Sequence, residues 1–344
     1  MKRHKRTKIL SYGGGLNSFA MWLRAVQRGE LPDVVIFMDV TDPEGKWPGE
    51  WPGTYQHMRD YMIPMCEKLG VEFVWLDTKS YPIRKGGADE CDEGLFAYWW
   101  TRNQIPVASA RRNCTIIAKV ERFEHWMNDR FPGEDVEVWI GFEAGEEDRV
   151  AKDPNAIGSG AEKKAVRKGG KRKYENPARR HNRFPLIEEG LCRCAQEKLV
   201  AEAGYPVPRK SACVFCPYGS KGDWQTFAKE LPEQFAMAVE LEAKKTVTTK
   251  GKKLSIMGYQ TIVNDEKRGD EPPVEGVHYK APPLSEYVKD GKRAYKRQQK
   301  PCEVCGAPVK ATKATACDYL AEDEMAPATQ QVIPVNSLVR AKAA

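Results

Sequence analysis

Residues 8–24 read Lys-Ile-Leu-Ser-Tyr-Gly-Gly-Gly-Leu-Asn-Ser-Phe-Ala-Met-Trp-Leu-Arg, and this stretch decides the fold. A short apolar strand runs into three consecutive glycines, and an amphipathic helix follows. Phe19, Trp22, Leu23 and Val26 recur at i, i+3, i+4 and i+7, the helical period. Asn17 or Ser18 is placed to cap the helix by accepting a backbone N–H. A glycine-rich turn feeding a helix aims several amide hydrogens at one point, backed by the positive end of the helix dipole. Such a turn binds phosphate. Glycine is needed because phosphate approaches the backbone closely and part of the turn takes φ > 0. The loop is not a Walker loop, which requires Gly-Lys-Ser/Thr, and position 18 is Ser where Gly-x-Gly-x-x-Gly would need Gly.

Outward from this unit the chain repeats the pattern. Residues 33–39, Asp-Val-Val-Ile-Phe-Met-Asp, are apolar on both parities, as suits a strand covered on both faces. Residues 40–53 hold three prolines and two tryptophans without a period and read as a loop. A helix over 52–69 stops at Gly70, and residues 71–77 form a third strand. Further helices are expected over 90–102 and from Arg111 to Phe131, then a fourth strand over 136–141. Such β-α-β units imply an α/β fold with a doubly wound parallel sheet, whose ligands sit beyond the C-terminal strand ends. The glycine loop and Asp39 fall at that edge.

At 344 residues, 41% hydrophobic and 30% charged, the chain can bury a full core. No apolar run approaches the length of a membrane span, and the basic start leads into glycines with no secretory h-region, so a cytoplasmic location is expected. The net charge of +7 is uneven: residues 162–183 carry ten Lys or Arg against two Glu. That segment reads as a basic mobile insertion, either a DNA or RNA contact or solvated loop. The expected organisation is a nucleotide-binding α/β domain over 1–161, the insertion over 162–183, a helical cysteine-bearing region over 184–245 and an extension over 246–344.

Ser11-Tyr12-Gly13-Gly14-Gly15-Leu16-Asn17-Ser18 resembles the pyrophosphate loop of the adenine-nucleotide α-hydrolase (PP-loop) superfamily, with Asn17 where many members carry Asp. A strand ending at Gly141, with Glu146, Glu147 and Arg149 after it, is similar to a second feature of that group, and Arg112, Cys114, Thr115 and Lys119 to a third. Ser211-Ala-Cys213-Val-Phe-Cys216-Pro-Tyr resembles its cluster-bearing branch, which holds phosphoadenosine-phosphosulfate (PAPS) reductase-like proteins and DNA-phosphorothioation sulfurtransferases. The resemblance spans about residues 7–245. It implies that Ser11, Gly13, Gly14, Gly15, Asn17, Ser18, Asp39, Arg112, Gly141 and Glu147 bind ATP, or PAPS or APS, with Mg2+. It also implies catalytic roles for Ser18, Lys119 and Arg149, and a sulfur or electron donor protein as partner.

Ten cysteines in a chain of this class argue for metal or redox chemistry over structural disulfides. Cys66 lies among apolar residues of helical spacing and reads as core. Cys213 and Cys216 supply two thiolates, with Cys114 and Cys194 the best candidates for the others and Cys192 a rival to Cys194. Spacing does not separate zinc from a cubane cluster; the resemblance favours 4Fe–4S. Cys302, Cys305 and Cys317 read as a zinc knuckle with no obvious fourth ligand.

The first functional reading is therefore an ATP-dependent enzyme that activates a substrate and transfers sulfur, or performs redox chemistry, at an iron–sulfur cluster. A sulfonucleotide reductase is the second, although the Glu-Cys-Gly-x-His tail of those enzymes is absent. A non-catalytic nucleic-acid-binding protein on a retired nucleotide fold is the third.

Overall fold

The computed structural model describes residues 6–85, 89–108, 113–153, 155–156, 174–245, 254–259, 283–289 and 302–306. In chain order the elements are β1 (Thr7–Tyr12), α1 (Leu16–Arg28), β2 (Val34–Met38), α2 (Pro52–His57), a π turn (Met58–Met62), α3 (Ile63–Leu69) and β3 (Glu72–Leu76). A hairpin of β4 (Ile83–Lys85) and β5 (Asp89–Cys91) leads to α4 (Gly94–Thr101). Then come α5 (Asn113–Thr115), a second π turn (Ile116–Val120), α6 (Glu121–Arg130), β6 (Asp135–Trp139), α7 (Glu147–Val150) and β7 (Arg179–Arg183). The remainder is α8 (Pro185–Glu188), α9 (Arg193–Glu202), α10 (Lys221–Glu230), α11 (Pro232–Ala243), β8 (Leu254–Ser255), β9 (Gly258–Tyr259) and α12 (Leu284–Tyr287).

Five strands form one parallel sheet in the order β3-β2-β1-β6-β7. The expected doubly wound α/β architecture is the observed one. The alternation of side chains explains it. Ile9, Val34, Ile36 and Met38 face one way, onto Phe123, Trp126 and Met127 of α6. Leu10, Tyr12, Val35 and Phe37 face the other way, onto α1, Met65 and Cys66 of α3, and Val200 of α9. All five residues of β2 are buried, as a central strand between two helical layers requires. Cys66 is core, as read from its spacing. The helix over 52–69 ends at Gly70 in the left-handed region, φ +67°, where its N–H returns to the last turn.

Beyond the sheet a second apolar cluster joins Trp51, Phe96, Phe215, Trp224, Phe227 and Leu241, which ties α4, α10 and α11 into a helical layer. Cys114 and Cys213 pack against this layer.

Three expectations are corrected. The helix over 90–102 is shorter, because Asp89–Cys91 pairs with Ile83–Lys85 as a hairpin before α4 begins at Gly94. The segment 162–183 is not loop throughout: Arg179–Arg183 is the fifth strand, paired in parallel with β6. Its three arginines are occupied structurally, with Arg179 on Asp135, Arg180 bonded to Asn182 and Arg183 on Glu30 and Glu188. The seven other cations of that segment lie outside the described residues. Neither Asn17 nor Ser18 caps α1: Gly15 is the extended residue before the helix, and no side chain bonds the orphan amides.

Candidate functional site

The sheet reverses its strand order between β1 and β6, and the glycine loop leaves β1 at that point. Gly14 has φ +76°, and a Cβ there would lie 2.5 Å from Cγ2 of Thr54, so only glycine fits. The Ser18 hydroxyl accepts from Gly13 N–H (3.2 Å) and donates to the Gly15 carbonyl (3.0 Å), which folds the loop back on the first turn of α1. Asn17 donates from Nδ2 to the Gly141 carbonyl at 3.0 Å and so ties the helix start to the end of β6. An Asp could not make that donation. Asn17 thus has a local structural role.

A cavity of about 340 Å³ opens above this loop. Of the sequence-derived residues it is lined by Ser11, Gly13, Gly15, Asn17, Ser18, Gly141 and Arg149, whereas Gly14 shapes the loop without lining the wall. Glu146, one of the acidic pair in the sequence but given no site role there, also lines it, and sequence reasoning missed Glu143, Arg193, Lys210 and Ser211 in the wall. Arg149 pairs with Glu146 at 2.6 Å and stacks over Phe142, its guanidinium carbon 3.8 Å from the ring centre. Burial, with Glu146 adding its charge, raises the Glu143 carboxyl pKa against the opposing pull of Arg193. Cations, carboxylates and loop amides therefore share one cavity, a lining suited to an anion carried with a divalent metal.

Other predicted residues stand apart from it. Glu147 begins α7 and accepts from the Gly145 N–H, outside the cavity wall. Asp39 is buried, and its carboxylate accepts from Tyr55 OH, Trp75 Nε1 and Thr41 N–H at 2.9 Å each. These three donors hold it in the fold, outside the cavity wall. Arg112 and Cys317 lie outside the described residues.

Lys119 sits in the second π turn and reaches Glu50 at 3.1 Å. The Glu50 carboxylate is 0% exposed, so it needs that cation. Desolvation opposes the Lys119 charge, but Glu50 and the nearby Cys213 and Asp39 outweigh it and raise the ammonium pKa. Glu50 bridges Cys213 in antiparallel fashion, with Val214 N–H on the Gly49 carbonyl at 2.8 Å. Glu50 had no signal in the sequence beyond its place among prolines and tryptophans. Cys213 and Cys216 lie within electrostatic reach of Glu50, and Cys114 within reach of both thiols. Burial raises the Cys213 and Cys216 thiols, with Glu50 and Cys114 adding to the effect on both.

Cys194, expected beside Cys213 and Cys216, is elsewhere. Its sulfur, with those of Cys192, Cys302 and Cys305, forms a group whose atoms all lie within 4.8 Å of one another. Among the described residues no other group of three or more such side chains comes so close. Cys192 and Cys194 converge because Cys192 is extended, ψ 168°, immediately before α9. The expected rivalry between Cys192 and Cys194 dissolves: both belong to one group. Backbone N–H donors of Cys305 and Val304 bring the Cys302 thiol down to about 7, whereas burial and its cysteine neighbours push Cys194 up to about 12.

No helix among the described residues is long and apolar enough to cross a membrane. No family model matches the sequence. No curated protein matches it either. Among solved structures it is similar to the U34-tRNA thiolase NcsA from Methanococcus maripaludis with its [4Fe-4S] cluster, at 15% identity and a TM-score of 0.36, over 70% of this chain and 73% of that one.

Proposed function

We propose that the chain is a PP-loop enzyme. In this reading it binds ATP by its pyrophosphate in the glycine-loop cavity, a substrate oxygen attacks the α-phosphate and expels pyrophosphate, and sulfide-level sulfur from a donor protein then displaces AMP from the adenylated substrate. One observation carries the reading. The segment 209–216 places Lys210 and Ser211 in the cavity wall and then delivers Cys213 and Cys216 to the Glu50–Lys119 pair. A nucleotide subsite and a thiol centre are thereby joined by a few residues of continuous chain.

In this reading the amides of Gly13 to Ser18 and the side chains of Lys210, Arg193 and Arg149 take the charge of the leaving pyrophosphate. Glu143 and Glu146 are the carboxylates available to a Mg2+ travelling with it. Cys114, Cys213 and Cys216 would hold the 4Fe–4S cluster that the sequence resemblance implies. Three thiolates fit a centre with one position free of protein ligands, and when bound the cluster supplies a seat for sulfide or a route for electrons. Lys119, held charged by Glu50, would orient an anionic group between cavity and thiols. An acceptor in DNA or RNA would use the cations of residues 163–173.

Titration with ATP–Mg2+ and with APS, together with pyrophosphate release, tests the reading. ATP should bind, and should release pyrophosphate when an RNA or DNA acceptor is present to take the adenylyl group; Gly14→Val should abolish both, since a β-branched residue cannot take that φ beside Thr54. Binding of APS alone would turn the assignment to sulfonucleotide reduction, and binding of neither would remove the nucleotide site.

A further inference from the structure

The four-cysteine group unites segments more than a hundred residues apart in sequence. Cys192 and Cys194 stand at the start of α9, while Cys302 and Cys305 flank a turn closed by the Gly306 N–H on the Cys302 carbonyl at 2.8 Å. Four thiolates on a single zinc ion, each at ~2.3 Å in a tetrahedron, stand about 3.8 Å from one another. Sulfurs within 4.8 Å of one another approach that arrangement. A cubane cluster spreads its thiolates wider, because each binds a different iron.

The surroundings show what an ion there would hold. Val304, between the two tail cysteines, is 46% exposed, yet it lies against Gly145: a Cβ on that glycine would be 3.3 Å from Val304 Cγ2. Gly145 belongs to the 141–149 loop, which supplies Gly141, Glu143, Glu146 and Arg149 to the cavity wall. Arg193, between the two α9 cysteines, lines the same cavity. So short a tail turn has little apolar surface of its own with which to dock.

We propose that Cys192, Cys194, Cys302 and Cys305 bind one Zn2+ as a closed structural site that clasps residues 302–306 onto α9 and the 141–149 loop. The site is distinct from Cys114, Cys213 and Cys216. Four protein thiolates leave the ion no open position, so its work is to fasten, not to catalyse. The assignment stands whatever the cavity binds.

Full-length protein purified without oxygen is analysed for zinc and iron, as wild type and as Cys194→Ser, Cys302→Ser and Cys213→Ser. The expected result is one zinc per chain in the wild type, lost in Cys194→Ser and Cys302→Ser and kept in Cys213→Ser. Cobalt loaded into zinc-depleted wild type should give intense thiolate-to-metal absorption, a readout that needs no variant to fold. Wild type without zinc, zinc that survives both Cys194→Ser and Cys302→Ser, or iron that departs with Cys302→Ser would each overturn the site. So would four thiols that become reactive only after a disulfide reductant.

Discussion

Two groups of cysteines lie on opposite sides of one distinction. Cys114 and Cys213 pack against a layer of aromatic side chains that also holds Cys91, and Cys213 and Cys216 lie within electrostatic reach of a buried carboxylate, Glu50, that is paired with Lys119. Cys192, Cys194, Cys302 and Cys305 turn towards one another. Cys213 of the first group is built into the fold by backbone pairing of residues 212–214 with residues 49–51. The second is assembled from a helix start and a tail turn that little else joins. The spacing of thiols says nothing about this difference. What differs is what the thiols meet: those of the first group lie near the Glu50–Lys119 ion pair, and those of the second meet one another.

The sharpest way to break the comparison is to exchange the groups' metal contents. Cys213→Ser should remove nearly all the iron from anaerobically purified protein and reduce turnover by more than about tenfold, because serine replaces soft thiolate poorly. Cys194→Ser should leave iron in place, as metal analysis of the two variants would show.

Glu50→Gln probes the charge that distinguishes the first centre. Removing one partner of a pair whose carboxylate is buried should destabilise the fold by about 2 kcal/mol, below the fully buried case because Lys119 is 36% exposed. Denaturant unfolding would measure it, and a loss under ~0.5 kcal/mol would mean that the pair is incidental.

A smaller effect is expected from the second centre on the cavity. Chelation of the clasp metal should weaken ATP binding about three- to tenfold by releasing Arg193 and the 141–149 loop, on the order of 1 kcal/mol. Calorimetry before and after chelation would detect it.

Smallest of all for stability is the triple change Lys171→Ala, Arg172→Ala and Lys173→Ala. It should leave both metals and the unfolding free energy within about 0.5 kcal/mol of wild type, while flattening the salt dependence of any nucleic-acid binding. A large stability loss would show that the segment packs.

The sheet was legible because its strands carry their burial in composition. Val34–Met38 is apolar at every position and sits in the centre. Arg179–Arg183 was not legible, since it is polar at every position and only Asn182 is buried. Edge strands tolerate charge for good reason, and charge is what hides them. The glycine loop and the cavity residues of 11–18 were readable from local geometry, but Arg193, Lys210 and Ser211 reach the cavity from elements far along the chain. For Asp39, position at a strand end gives no hint of partners: Tyr55 and Trp75 bond its oxygens from an adjacent helix and strand. The pairing of Cys194 with the tail depended on a contact across about a hundred residues, which no periodicity encodes.

Arg122 on α6 has a consequence for how the molecule comes apart. Its guanidinium is buried, and its donors go to the carbonyls of Asp39, Leu76, Asp77, Tyr81 and Ala118. Five acceptors from the ends of β2 and β3, the loop beyond and the helix itself are thus gathered on one planar fork, which a lysine with three donors on a flexible stem cannot replace. Local opening of any one of these segments would strand the fork. Slow amide exchange in β2, β3 and α6 should therefore be lost together, as one cooperative unit that includes the footing of Lys119.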